Sequence, residues 1–516
     1  MGLAANVSSS QLLLLAAGSF VAYYVAITIT TYFRLRKFKG PFSTGVSSLW
    51  HVRAFLGLQP HVRYKEVCDK YGPIARLGPN DLVTSSAELL AHMSAVRSPY
   101  TRGPWYYLGG RVRPGIDSCF SQLNEEKHTL RRQQMAPGYS GKENLHLESS
   151  MDERVAEFMS LIRSKYLSTD AHARPFNLTH KIEYFVLDVI SAIGYGEPFG
   201  DLRTDSDVYD YAKASAEGFM LVTWYIALGL AVPFAKMPLL FKMVGPSEKD
   251  KGGLGRVLAN ARTILDARLK RGDMDQRSDM LSSFYRHGIR GEDLLTETHL
   301  QILAGSDTTA SALRIILLHL FTNPRVYAKL QAEVDKAVRD GLAPPAPDVI
   351  QDTELRKLPY LQAVIKEGMR VYPPVTNASP KQVPEGGETV LVDGQPVFLP
   401  GGVNISVSIF SVVHDKEVFG DDATTFRPER WLVEKDEAKL ARMARSQDLI
   451  FGHGKYQCLG KGIANMELGK VIFELLRNFD WCIAKPEQPW RSFNYIGLFE
   501  HKDFEVLATE RLHTTV

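Results

Sequence analysis

The first 33 residues carry no charged side chain, and Leu12 to Phe33 is an almost continuous apolar run broken only by Ser, Thr and Gly. Its 22 residues are long enough to cross a bilayer as a helix. Arg34, Arg36, Lys37 and Lys39 follow at once, and Gly40-Pro41 closes the basic stretch. Those cations assign that end to the cytosol. A cleaved signal peptide would need a basic start and a shorter apolar core, and the chain has neither. The pattern predicts a lumenal stretch over 1–11, a transmembrane anchor over 12–33, a basic Gly-Pro hinge over 34–41 and one cytosolic domain over 42–516. Asn6-Val7-Ser8 is then a lumenal sequon, with Asn6 open to glycosylation. The sequons at Asn177, Asn377 and Asn404 face the cytosol and stay bare.

Beyond the hinge, His61 to Tyr71 reads as a helix. Ile74 to Leu77 and Leu82 to Thr84 read as short strands split by Gly78-Pro79-Asn80. From Asn124 to Asp340 the spacing is mostly helical. Asp279 to Arg286 is a helical segment ended by Gly288, and Thr296 to Phe321 is one long helix stopped by Asn323-Pro324. Pro359 to Val371 is another, with Pro in its first turn and Pro373-Pro374 as its stop. Turn signals at Glu385-Gly386-Gly387, Asp393-Gly394 and Pro400-Gly401-Gly402 mark a β-rich stretch. The last long helix runs from Leu459 to Arg477, with strands after it. Much helix with a small β region predicts a mainly α, α+β domain.

Composition narrows this picture. By length alone the 516 residues suggest about three domains, yet no linker or internal repeat divides them. The one low-complexity stretch is the Pro-rich Gly341 to Pro347. With 61 Lys+Arg against 58 Asp+Glu, the net charge of +3 gives no reason to invoke nucleic acid. Hydrophobic residues at 45% suffice for one large core. The four cysteines, Cys68, Cys119, Cys458 and Cys482, are sparse and lack CxxC spacing. That argues against a disulfide framework or zinc site and suits a reducing compartment.

Candidate chemistry lies in a few segments. Phe451-Gly452-His453-Gly454-Lys455-Tyr456-Gln457-Cys458-Leu459-Gly460 places one cysteine in a glycine-punctuated loop just before an amphipathic helix. Glycines let backbone approach a flat ligand closely, and a helix N-terminus favours thiolate over thiol. Such a cysteine can offer one axial sulfur to a haem iron. Ala304-Gly305-Ser306-Asp307-Thr308-Thr309 puts poor helix formers inside the long helix. Gly305 would leave a groove beside a ligand, the Thr308 hydroxyl can bond a carbonyl one turn back, and Asp307 can relay protons. Glu367 and Arg370 are three apart and share a helix face, as do His128 and Arg132 at a spacing of four.

The decapeptide resembles the haem-ligand loop of the cytochrome P450 superfamily, the haem-thiolate monooxygenases. Phe451, Gly454, Cys458 and Gly460 match that pattern, while Tyr456 stands where the family usually has Arg or His. The Ala304–Thr309 segment resembles the family's oxygen-activation motif, which implies a hydrogen bond from Thr308 to the oxygen being activated and proton delivery by Asp307. Glu367-Gly368-Met369-Arg370 and Phe426-Arg427-Pro428-Glu429-Arg430-Trp431 resemble its Glu-x-x-Arg and Pro-Glu-Arg pair. Glu367, Arg370 and Arg430 would then form a buried structural triad. His128 and Arg132 fall where the family binds a haem propionate, with His in place of the usual Trp, as in many fungal members. Lys381 falls near the family's second propionate arginine, but it is a point charge without the guanidinium fork. The resemblance spans roughly residues 40–510 and implies the triangular, mainly helical haem-thiolate fold with haem b. It looks most like fungal microsomal members, including the pisatin demethylase-like group.

The same resemblance implies substrate contacts in Thr101 to Cys119, around Ala304, at Val375 to Ala378 and at Tyr495 to Phe499. These residues are largely apolar or aromatic, which suits a sizeable lipophilic molecule such as a terpenoid, polyketide or alkaloid. The chain has no glycine motif for a nucleotide. Electrons would come from a separate NADPH–cytochrome P450 reductase, with cytochrome b5 as a candidate second donor. Lys127, Arg131, Lys455 and Lys461 are the candidate docking cations. Localisation follows as a single-pass endoplasmic reticulum membrane protein. A haem-thiolate isomerase or dehydratase that needs no oxygen is the alternative enzyme, and a haem sensor or carrier the alternative from another class. Gly218 to Ala235 is a second uncharged run of 18 residues. A second span there would part the haem loop from the His128 helix, so it reads as either a buried core helix or a greasy lid over the pocket.

Overall fold

The long apolar pattern predicted from Thr296 begins earlier, and the helix runs unbroken from Gly291 to Phe321. Glu292 and Asp293 occupy its first turn, where the helix dipole favours carboxylates. The computed structural model describes residues 9–377 and 380–511, with part of the side chains between 9 and 24 excluded. This central helix packs most extensively against Leu178–Tyr195, Pro359–Val371, Gly253–Arg271 and Lys461–Asn478. It is apolar on most sides because it is covered on most sides. Gly305 serves that packing: a Cβ there would lie 2.7 Å from Ile190 Cδ1 of the Leu178–Tyr195 helix. The expectation of an open groove at Gly305 is therefore corrected, because a neighbouring helix fills the space.

One sheet matters for the site. Its strands run in the order Ile74–Gly78, Asp81–Thr84, Asn404–Val407, Lys381–Gln382, Thr101–Arg102. The last pairing is antiparallel and sets Arg102 opposite Lys381. Glu388–Val392 and Gln395–Leu399 form a hairpin through Asp393 and Gly394, at φ 50° and 73°. Positive φ at both central residues matches the twist of the flanking strands.

At the N-terminus, Ser9–Arg34 is a helix that covers the apolar run. Among the described residues, no helix is long and apolar enough to cross a membrane. Its end is fixed to the domain: Arg76 donates to the carbonyls of Thr31 and Gly45, each at 3.2 Å, and of Pro79 at 2.7 Å. Asn6 lies outside the described residues. Asn377 and Asn404 are 2% and 8% exposed. Burial leaves those two asparagines little accessible in the folded chain.

The Gly218–Ala235 run is not one helix. Tyr211–Ala227 stops at Leu228, Gly229 turns the chain at φ 70°, and short helices follow at Ala231–Ala235 and Pro238–Val244. Leu221, Trp224 and Leu228 are exposed on this stretch, so it is no buried core helix.

Candidate active site

The cysteine loop starts with a single tight turn, Leu449–Phe451. Gly452 follows at φ 73°, where a Cβ would meet Tyr456 O at 2.8 Å, and Gly454 sits at φ 52°, where a Cβ would meet Ser94 O at 2.2 Å. Both positions therefore require glycine. The Cys458 amide donates to Phe451 O at 2.7 Å and closes the loop. The helix Lys461–Asn478 begins just beyond, and the backbone N–H groups of Gly460 and Lys461 reach the Cys458 sulfur. At Gly460 itself the nearest atom to a built Cβ is 3.9 Å away, so no protein atom demands glycine there.

Cys458 has room for a water beside it, yet protein surrounds it closely enough that burial pushes its thiol up. The two N–H groups and the Arg132 and Lys461 charges oppose that rise. Cys68 and Cys119 are buried and pushed up to about 12 with no such donors from a helix start. They behave as small apolar side chains.

Around the loop is a buried basic cluster. His128 and Arg132 lie on the helix Glu125–Tyr139. Arg132 donates to Gln457 O at 2.7 Å, next to Cys458. Arg102, which sequence reasoning missed, places its Nη2 2.6 Å from His128 Nε2 and donates to Gln122 O at 2.6 Å. A guanidinium only donates, so His128 Nε2 accepts and the ring is neutral with its proton on Nδ1. Burial first, then the Arg102 charge, lowers His128 to about 3, which agrees. Lys381 is fully buried, with Tyr107 Oη at 3.1 Å and the Tyr456 ring 4.0 Å from its Nζ. Tyr456 thus receives cations on its face, and its hydroxyl donates to Glu125 at 2.6 Å.

The arrangement fits haem. His128 Nδ1 and Arg102 Nε are buried donors without partners among the described residues. Donors left unmet in a cationic pocket suit carboxylates such as the two haem propionates. A sulfur held by N–H groups at a helix start suits the iron. Arg102, His128, Arg132 and Lys381 would hold the propionates, and Cys458 the iron.

On the central helix, Ala304 is exposed and Thr308 partly so, although the helix is otherwise mostly buried. They are four residues apart and share a face. The Thr308 hydroxyl donates to Ala304 O at 2.9 Å without breaking the helix. Asp307 turns elsewhere: its Oδ2 accepts from Tyr211 Oη at 2.8 Å and Ser215 Oγ at 3.1 Å, both on the Tyr211–Ala227 helix. Burial raises its carboxyl to about 6, and those two hydroxyls oppose the shift.

Glu367, Arg370 and Arg430 meet in a buried set. Glu367 accepts from Arg370 Nε and Nη2, each at 2.9 Å, from Arg430 Nε at 2.8 Å and from Trp431 Nε1 at 2.9 Å. The two guanidiniums also donate to backbone carbonyls at Val413 and Phe419.

Two of the segments expected to touch substrate, at Val375 to Ala378 and Tyr495 to Phe499, meet in the fold. Val375 bridges to Leu498, and Thr376 donates to Gly497 O at 2.7 Å. Gly109 lies against Ile226 of the Tyr211–Ala227 helix, where a Cβ would be 2.3 Å from Cγ1. Ala378 lies outside the described residues. Two docking cations need correction. Arg131 is consumed by Asp293 and the buried Glu297, each at 2.6 Å. Lys455 donates to Ser98 O and Tyr100 O at 3.0 and 2.9 Å and pairs with Glu125. Lys461 is paired with Asp448, while Lys127 is exposed.

Residues 41–506 match the family described as Cytochrome P450. The chain is 40% identical over 498 residues to the Cytochrome P450 monooxygenase ABA1 of Pyricularia oryzae, covering 95% of each protein. It is 35% identical over 479 residues to the Cytochrome P450 monooxygenase aba1 of Botryotinia fuckeliana, covering 92% of each. Against pisatin demethylase of Fusarium vanettenii it is 27% identical over 502 residues, 95% of this chain and 94% of that one. With a match over most of its length and relatives named as monooxygenases, the chain belongs to the cytochrome P450 family, oxygen-incorporating oxidoreductases that bind haem b through a cysteine thiolate.

Proposed function

We propose that this enzyme inserts one oxygen atom of O2 into a lipophilic small molecule of fungal secondary metabolism, a terpenoid, polyketide or alkaloid. The observation that carries the site assignment is the Cys458 sulfur, met by two helix-start N–H groups beside a basic cluster with unmet donors. Haem b bound there supplies an iron that binds and activates O2. Cys458 would hold that iron through its thiolate, and the helix dipole would stabilise the negative sulfur. Arg102, His128, Arg132 and Lys381 neutralise and orient the two propionates. Thr308 presents a hydroxyl to the cavity face, and Asp307 feeds protons toward it. Glu367, Arg370 and Arg430 keep the loops behind the haem in place.

Electrons come from NADPH–cytochrome P450 reductase, with cytochrome b5 as a second donor. Support is the lack of a nucleotide-binding glycine motif in the chain. The 12–33 run anchors the enzyme in the endoplasmic reticulum membrane, with the catalytic domain cytosolic and Asn6 lumenal. Its 22 uncharged residues and the cations after it support this. The exposed apolar side chains between Leu221 and Val244 form a greasy lid through which lipophilic substrate enters.

The test is turnover with reductase, NADPH and labelled dioxygen on metabolites that accumulate when the gene is deleted. One labelled oxygen per product molecule supports the proposal. Conversion without NADPH and without label would establish the isomerase or dehydratase reading instead.

A further inference from the structure

Asp307 belongs to a polar cluster buried between three helices. Arg314 lies seven residues further along the central helix, hence on the same face. Its Nη2 donates to Glu183 Oε2 at 3.1 Å and to Thr179 O at 2.7 Å. Glu183 and Thr179 belong to the Leu178–Tyr195 helix. Tyr211 holds Asp307 from a third helix, and Ser306 Oγ is 2.8 Å from the Tyr211 oxygen. Ser311 lies on the Asp307–Arg314 face as well. Ser311 Oγ, Arg314 Nε and both ring nitrogens of His501 are buried without partners among the described residues. Buried polar atoms of this kind are ordinarily met by ordered water. Glu183 keeps a side-chain exposure of 14%, and it lies near enough to Asp307 for the Asp307 charge to act on it.

We propose that Glu183 is the group that reloads Asp307 with protons, and that Tyr211 is a positioning residue holding the Asp307 carboxyl to receive them. This rests on the proton-delivery role proposed above for Asp307. After Asp307 has passed its proton toward Thr308, the carboxylate takes one from the Glu183 carboxyl through the ordered water that meets the cluster's unpartnered polar atoms. Glu183, left as a carboxylate beside Arg314, regains a proton from solvent. Only O–H bonds form and break, and no electron moves.

The charges agree. Burial raises Glu183 to about 7, with Asp307 and Asp207 pushing it further up and Arg314 opposing. Asp307 at about 6 also feels Arg314 and Glu500. The Glu183 charge helps to raise Asp201, and the Arg314 charge acts on His501 and His180 as well. Burial raises both carboxyls toward neutrality, so each can hold or release a proton in that range. The proton-bearing form of Glu183 is present below about 7 and lost above it. Coupled product formation should therefore fall as pH rises through that value.

The experiment uses the full-length haem-loaded enzyme with reductase, NADPH and its substrate. Glu183→Gln keeps the volume and the Arg314 contact but carries no titratable proton. Expected are an unchanged ferrous–CO spectrum, a loss of product per NADPH of about tenfold or more, more peroxide, a larger solvent deuterium effect and no pH limb near neutrality. Glu183→Asp should recover most of the coupling. Parental coupling and isotope effect in Glu183→Gln would overturn the proposal. Should that variant lose haem, Tyr211→Phe at full haem content decides, with loss of coupling supporting the proposal and parental coupling overturning it. Asp307→Asn runs in parallel. If it uncouples while Glu183→Gln does not, only the reloading role falls. If Asp307→Asn couples normally, the delivery role of Asp307 falls and the reloading role with it.

Discussion

Cys458 differs from the other three cysteines by its backbone and not by its side chain. Two N–H groups from a helix start aim at its sulfur, and two positive-φ glycines force the loop that presents it. Cys458→Ala should abolish the red-shifted Soret band of the ferrous–CO complex, and a retained band would end the thiolate assignment. Thr308 is a milder case. Its hydroxyl is satisfied by its own helix, so replacing it leaves no buried group unpaired. Thr308→Ala should keep full haem and a normal ferrous–CO spectrum while diverting NADPH electrons to peroxide. Unchanged coupling of NADPH use to product would remove its role. At this scale the motifs were legible one by one, but their directions were not. Asp307 and Thr308 are adjacent in sequence, yet successive helix residues point about 100° apart. One carboxyl therefore meets Tyr211 while the neighbouring hydroxyl stays with Ala304. Arg102 went unseen because nothing local distinguishes it. Its place opposite Lys381 comes from strand pairing across 279 residues, as the numbers 102 and 381 show.

Elements meet where side chains allow it. Gly305 packs directly against Ile190 between the two most extensively packed helices. Gly305→Ala should cost about 1–3 kcal/mol by overpacking, and Ile190→Ala in the same chain should return part of that loss. Chemical denaturation of the three variants measures the coupling, and strict additivity would argue against the contact. The Tyr211–Ala227 helix illustrates the reverse. Trp224 is 48% exposed, so little core depends on it. Trp224→Ala should weaken substrate binding while leaving haem content and the ferrous–CO spectrum intact. Loss of folded haem protein would instead show that Trp224 supports the core. The run from Gly218 to Ala235 was ambiguous in sequence because apolar residues alone do not tell burial by protein from burial by lipid or ligand. The helix boundaries at Pro359 and Val371 were clear, since a proline at each end restricts the backbone itself.

At the scale of the molecule, the exposed cations after Phe33 and the exposed apolar side chains from Leu221 to Val244 belong to one proposed membrane association. The full-length protein should stay in the pellet on carbonate extraction, and removal of residues 1–33 should release it. Extraction of the intact chain would defeat the anchor. Asn6 should be the sequon that carries glycan. Of the other three, Asn177 is the informative control, because Asn377 and Asn404 are buried in the fold whichever side they face. Sequence by itself determined the mainly helical class, the cysteine loop, the acid and alcohol of the central helix and the Glu367–Arg370 spacing, while Arg430 was joined to that pair by family resemblance. Each of these is written in short-range pattern: periodicity, proline and glycine punctuation, or a spacing of a few residues. Tertiary structure alone decided which cations surround the cysteine loop, which docking lysines and arginines are already paired, what fills the space at Gly305 and where Asp307 turns. Most of those outcomes depend on contacts between residues far apart in the chain, such as Arg132 with Gln457 or Asp307 with Tyr211, and a single chain carries no local signal for what packing will bring beside it.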